Sequence, residues 1–140
     1  MDADQARERF EGSPVLRLAT ADADGRPHIV PCTFAVDDLG QVLIGIDNKP
    51  KSTTRLRRLR NIEQNPQVSL LADRYADDWT RLWWARADGR ATIERSGAEY
   101  SAHWQLLLAK YPQYEGQQLD GPVIVVAVEA WSGWAFGPNA

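Results

Sequence analysis

Two short segments, DADG at 22–25 and DDLG at 37–40, constrain this chain more than any other feature. Each puts Asp at the start and Gly at the end of a four-residue link between apolar stretches, the residue types a tight reversal needs. So tight a reversal joins neighbouring strands that run in opposite directions, whereas parallel strands need a crossover of about a dozen residues. The flanking stretches 15–20 (VLRLAT), 28–36 (HIVPCTFAV) and 41–47 (QVLIGID) therefore read as three consecutive antiparallel strands. Pro31 lies within the second and cannot donate a ladder hydrogen bond, so that point belongs at a sheet edge or a bulge.

Leu56, Leu59 and Ile62 recur at three-residue spacing within 52–64, which makes one apolar stripe of a helix. Ser52 or Thr53 offers the N-cap, and Asn65-Pro66 is the stop. At about 100° per residue, Arg55 and Arg58 fall beside that stripe while Arg57 and Arg60 point away from it. Apolar runs at 68–75, at 79–93 with an interruption at Asp88-Gly89, and at 123–136 predict three further strands. Between the last two, 96–111 carries Ala98, Ala102, Leu106 and Ala109 at helical spacing, with Ser96 and Glu99 as a capping box. The expectation is an α+β protein of six antiparallel strands and two or three helices, the sheet closing into a small barrel.

Composition limits the function classes. With 140 residues, 44% of them apolar and 25% charged, the chain is expected to form a single domain over 1–140 and not a disordered or fibrous protein. The first ten residues contain no apolar run, and the longest, at 123–128, is far short of a membrane span. A soluble, cytoplasmic protein with no membrane partner is the expectation. One cysteine, Cys32, and two histidines, His28 and His103, make neither a disulfide nor a good metal set. A net charge of -3 argues against a dedicated nucleic-acid partner.

That average hides a local reversal of sign. Residues 49–60 read KPKSTTRLRRLR, six cations in twelve positions with no acid; outside them 10 Lys and Arg face 19 Asp and Glu, a balance of -9. A helix that begins after KPKS offers unpaired backbone N–H groups and the positive end of its dipole. Lys49 and Lys51 add point charges, the hydroxyls of Ser52, Thr53 and Thr54 add neutral donors, and Arg55 leans back toward the same spot. A solvated helix face is the plainer reading of such a run. Against it, the cations begin in the loop before the helix and lack the acidic partners of an ion-paired surface.

Six tryptophans, Trp79, Trp83, Trp84, Trp104, Trp131 and Trp134, serve either packing within the barrel and between subunits or stacking on a flat ring. No classical acid–base or nucleophilic constellation is present. The spacing of Tyr75, His28 and Arg17, the candidate proton donors, marks none of them out, and Cys32 reads as a small buried residue. If the chain is an enzyme, a cofactor carries its chemistry.

The segments LRLATADADGRPHIVPCTFAVDD, VLIGIDNKPKSTTRLRRLRNIEQNPQVSLLADRY, DDWTRLWWARADGRATI and the terminal WSGWAF resemble the split β-barrel flavin-binding superfamily that includes pyridoxamine 5'-phosphate oxidase. They are more similar still to its branch of oxidoreductases that use the deazaflavin coenzyme F420. The resemblance implies a homodimer with cofactor sites at the subunit interface, acting on a small-molecule substrate. It places the phosphate on Lys49, Pro50, Lys51, Ser52, Thr53, Thr54 and Arg55, and the extra carboxylates of an oligoglutamate tail on Arg58 and on Arg57 or Arg60. The ring is expected near Val30, Pro31, Cys32, Thr33, Ile46 and Asp47, with Trp79 or Trp131 arriving from the partner chain. Where pyridoxamine 5'-phosphate oxidases carry Arg and Lys on the second strand, this chain has Val30 and Ala35, and their Ser-Arg-Lys triplet is here Pro50-Lys51-Ser52. Vitamin B6 oxidation is therefore not expected. The implied activity is hydride transfer between F420, or alternatively FMN, and an unsaturated organic substrate. A non-catalytic protein that binds a planar cofactor or tetrapyrrole is the rival.

Overall fold

The computed structural model describes residues 1–46 and 53–140, and the side chains of all of these except 53–56. In chain order the elements are α1 (Ala3–Glu11), β1 (Leu16–Ala21), β2 (Pro27–Cys32), β3 (Ala35–Val36), β4 (Val42–Gly45), α2 (Thr53–Gln64), β5 (Gln67–Arg74), β6 (Trp83–Glu94), α3 (Ala98–Lys110) and β7 (Val123–Ala135). Short 3-10 turns cover Trp79–Arg81 and Pro112–Tyr114.

The two Asp/Gly links make the turns expected of them, and in the same way. Asp22 Oδ1 accepts from the backbone N–H groups of Asp24 and Arg26, both at 2.9 Å. Asp37 Oδ1 accepts from Leu39 at 3.0 Å and Gln41 at 2.9 Å. Gly25 and Gly40 each sit at φ 80°, a left-handed conformation open to glycine at no steric cost.

All strand pairings are antiparallel, in the order β2-β1-β5-β6-β7-β4-β3. The two ends of that order, β2 and β3, are consecutive in the chain and separated only by Thr33 and Phe34. A sheet whose two edges are tied together by two residues must curl back on itself, and it does so here without a ladder between those edges. The fold is α+β, with three α-helices on a curled, incompletely closed sheet. Among the described residues there are seven strands rather than six, because 28–36 is not one strand. It breaks at Thr33 and Phe34, where Phe34 turns fully into the core and the chain crosses from one edge to the other. Pro31 lies on the edge strand β2, opposite Arg17, where its missing N–H costs no second ladder. The interruption foreseen at Asp88-Gly89 is a bulge inside one long strand, the register to β7 shifting there.

Alternation along β1 and β5 sends Leu16, Leu18, Val68, Leu70 and Ala72 inward to meet Phe10, Phe34 and Ile62. Helix α2 presents its expected stripe: Leu59 and Ile62 are buried, Arg57 and Arg60 are exposed, and Arg58 is half-buried at the boundary. Helix α1 lies in a stretch too polar to announce itself. Ala6 and Phe10, four positions apart and fully buried, anchor it, and Asp2 and Gln5 form a capping box at its start. In α3 the buried face is His103, Trp104 and Leu107, whereas Leu106, assigned inward by spacing, is 40% exposed. Its N-cap is Gly97, with no side-chain cap from Ser96. Among the described residues, no helix is long and apolar enough to cross a membrane.

Candidate functional site

Where the curled sheet leaves a gap between β2, β4 and α2 lies a concavity of about 150 Å³. Pro31, Cys32, Thr33, Ile46 and Arg58, drawn from three separate segments, all line it. These are five of the residues singled out from sequence. Asp47, Lys49, Pro50, Lys51 and Ser52 lie outside the described residues, as do the side chains of Thr53, Thr54 and Arg55. Val30 is half-buried one position before Pro31, packed against the main core. Trp79 is 69% exposed on the 3-10 turn before β6. Trp131 packs edge-on against Phe10 at 5.1 Å, on the α1 side of the sheet.

Arg58 dominates the electrostatics of the gap. Its Nη1 donates to Cys32 Sγ at 3.1 Å, a weak acceptor, and its buried Nε has no hydrogen-bond partner. A buried donor without an acceptor costs about 1–3 kcal/mol, more when charged, so this guanidinium is short of acceptors. Burial pushes the Cys32 thiol above its ordinary range while Arg58 opposes the shift. The field of α2 reaches β2 as well. Burial holds His28 below the usual imidazole range, reinforced by Arg57 and Arg58, and its Nδ1 is another buried atom without a partner.

The remaining wall was not singled out from sequence. Tyr114, from the 3-10 turn after α3, lines the concavity, and its hydroxyl is 2.7 Å from Thr33 Oγ1. It arrives there because α3 lies directly on β4. A Cβ on Gly45 would come within 2.4 Å of the Trp104 ring, so glycine is what lets helix and strand approach so closely. Tyr111, three residues earlier, accepts from Phe34 N–H at 3.1 Å and donates to Pro14 O at 2.8 Å, pinning the β2–β3 link. The signal for both was in the sequence as YPQY immediately after a helix, two phenols spaced by one turn.

Of the candidate proton donors, Arg17 is paired with Asp73 at 3.1 Å and Tyr75 is 63% exposed on the β5–β6 connection. A larger concavity of about 1000 Å³ lies beside α1, between Arg9, Arg74 and Trp83. Its Arg9 is already engaged, stacked 5.4 Å from the Trp83 ring and donating to the Ala140 carbonyl. The smaller gap, with the unpartnered Nε of its cation and its place at the basic helix, is the better candidate.

The model of the family described as pyridoxamine 5'-phosphate oxidase matches residues 3–135. The chain belongs to that family. Among solved structures, a conserved hypothetical protein from Mycobacterium tuberculosis shares 19% identity over 97% of this chain and 86% of its own, with a TM-score of 0.75. HutZ, the heme storage protein from Vibrio cholerae, shares 23% over 98% and 95%, with a TM-score of 0.73. An FAD-binding protein from Mesorhizobium loti shares 20% over 95% and 94%, with a TM-score of 0.72. At such identities the likeness is one of fold. No curated protein matches the sequence.

Proposed function

We propose that this member of the pyridoxamine 5'-phosphate oxidase family binds a phosphate-bearing coenzyme of the flavin class and transfers hydride between it and an unsaturated organic substrate. The observation that carries this reading is Arg58: a guanidinium with a buried, unpartnered Nε, on a concavity at the foot of the most basic segment of an acidic chain. The deazaflavin F420 is the coenzyme we put first and FMN the alternative. A phosphodiester and an oligoglutamate tail would give acceptors to Arg58 and to the exposed Arg57 and Arg60, more cations than one phosphate requires.

When bound, the coenzyme supplies hydride chemistry that no side chain here provides. The chain's own part is to hold and orient. Arg58 meets the anionic portion, Lys49, Lys51, the hydroxyls of 52–54 and Arg55 extend that grip, and the edge strand at Val30 and Pro31 supports the ring. A homodimer completes the site in this reading. The outer sheet face and its rim expose Ile29 (66%), Tyr75 (63%) and Trp134 (39%), and Trp79 is free to reach across to a partner's ring.

Titration of purified protein with F420 and with FMN, followed by coenzyme fluorescence, tests the proposal. Saturable binding of one of them by a dimer in sedimentation supports it, and binding of neither sinks it. The fold shared with HutZ favours a second reading, non-catalytic storage of a tetrapyrrole. A Soret shift with haem, together with no coenzyme binding, would select that one instead.

A further inference from the structure

We infer that Tyr114 is a specificity-determining hydrogen-bond donor of this site, reading an acceptor oxygen of the bound coenzyme. The inference rests on the coenzyme reading above and adds a residue and a chemistry to it. Hydrogen-bond accounting leads there. Thr33 and Tyr114 bring one hydroxyl proton each, and one of the two is used in their 2.7 Å contact. The other has no protein acceptor among the described residues. Arg58 adds its unpartnered Nε–H on the same concavity. No carboxylate lines the gap among the described residues. Its polar side chains thus face inward with donors in excess, and the complementary ligand edge is one of acceptor oxygens.

Size narrows the chemistry further. About 150 Å³ is the room of roughly five waters at about 30 Å³ each. A phosphoryl group or the carbonyl edge of one ring fits, whereas a whole tricycle does not.

The competing explanation makes the Thr33–Tyr114 contact a latch for the β2–β3 link, but Tyr111 already fills that role. Its hydroxyl donates to Pro14 and accepts from Phe34, so its one proton is used. Either hydroxyl can donate in the Thr33–Tyr114 contact, and with Thr33 as the donor Tyr114 keeps its proton for a ligand. Its ring is fixed by edge contacts at 5.9 Å to both Trp104 and Tyr111, so the hydroxyl is positioned before anything binds.

Tyr114→Phe removes the hydroxyl and leaves the ring, and Thr33→Val removes the competing partner. If Tyr114 reads the ligand, Tyr114→Phe weakens coenzyme binding about 3- to 10-fold at an unchanged melting temperature, and Thr33→Val binds at least as tightly as the parent. Equal losses of melting temperature and affinity in both variants would establish the latch and overturn the inference, as would parental affinity in Tyr114→Phe. Should the parent bind neither F420 nor FMN, the coenzyme reading falls by itself, and inorganic phosphate titrated into ¹⁵N-labelled protein decides the rest. A saturable shift of the Thr33 amide that Tyr114→Phe abolishes upholds the donor role, and no shift refutes it.

Discussion

Two half-buried polar clusters in this molecule differ in one respect. At His103 on α3, both imidazole nitrogens face an acid: Nδ1 lies 2.7 Å from Glu94 Oε1 and Nε2 lies 3.7 Å from Asp37 Oδ2. Asp37 in turn caps its own turn with its other oxygen, so the cluster binds β6, the β3–β4 turn and α3 into one closed network. At Arg58 the reverse holds, with several donors, a thiol as the one hydrogen-bond partner among the described residues and an orphaned nitrogen. A closed network rigidifies a fold, and one with donors left over is poised for a ligand. The difference marks Arg58, and not His103, as the candidate for meeting a ligand.

Substitution should divide the two clusters cleanly, and the largest effect is at the closed one. His103→Ala leaves two largely buried carboxylates facing an empty space. The expected loss is about 3 kcal/mol, or about 10 °C in melting temperature for a domain of this size, read by calorimetry. Coenzyme affinity of whatever remains folded should be unaltered. A melting temperature within error of the parent would abolish the distinction.

Arg58→Gln should do the opposite. Removing a cation that lacks acceptors leaves the ligand-free melting temperature unchanged or slightly higher. Coenzyme binding should weaken about 10- to 150-fold, the worth of one charged hydrogen bond. Measuring both quantities on both variants sharpens the comparison, since a variant that loses both together belongs to neither class.

How much of this was legible in the sequence follows from the range of the interactions involved. The Asp/Gly turns, the antiparallel order they impose and the burial of Leu59 and Ile62 are local, set within a few residues, and they were readable. So was the sorting of Arg57 and Arg60 away from Arg58, which needs only helical geometry. The break at Thr33 and Phe34 was not, because a curled sheet decides it when Phe34 is drawn into a core built from α1, β1 and β5. Helix α1 escaped for a similar reason, its two buried residues being too few to mark a period. Tyr114 and Gly45 joined the site only through the seating of α3 on β4, a contact between segments about sixty residues apart. Charge patterning pointed to the segment beside which the proposed site lies. Which donors there remain unused is a property of three-dimensional partners that no spacing reveals.

Lys110 falls between the two clusters and offers the smallest test. Its Nζ donates to the carbonyls of Ser13 at 2.9 Å and Glu11 at 3.3 Å and stands 3.7 Å over the Phe34 ring, so its protons have acceptors. Among the described residues no carboxylate pairs with it directly. Burial pulls the ammonium down from 10.5 to about 8, and the Glu11 charge, itself held by Arg7 at 2.7 Å, only partly offsets this. Between those values the unfolded chain binds more protons than the folded one, so stability rises as pH rises above about 8 and falls again as pH drops back through it. Cys32 and Tyr111, both pushed up by burial, contribute the opposite slope only above their ordinary values of 9.0 and 10.0, which leaves pH 8 to about 9 to the lysine. With half of Lys110 exposed, screening keeps the slope shallow. Lys110→Met should flatten urea-denaturation midpoints across that range while leaving those near pH 7 at or above the parent's, and a slope that survives the substitution would assign the titration to another group.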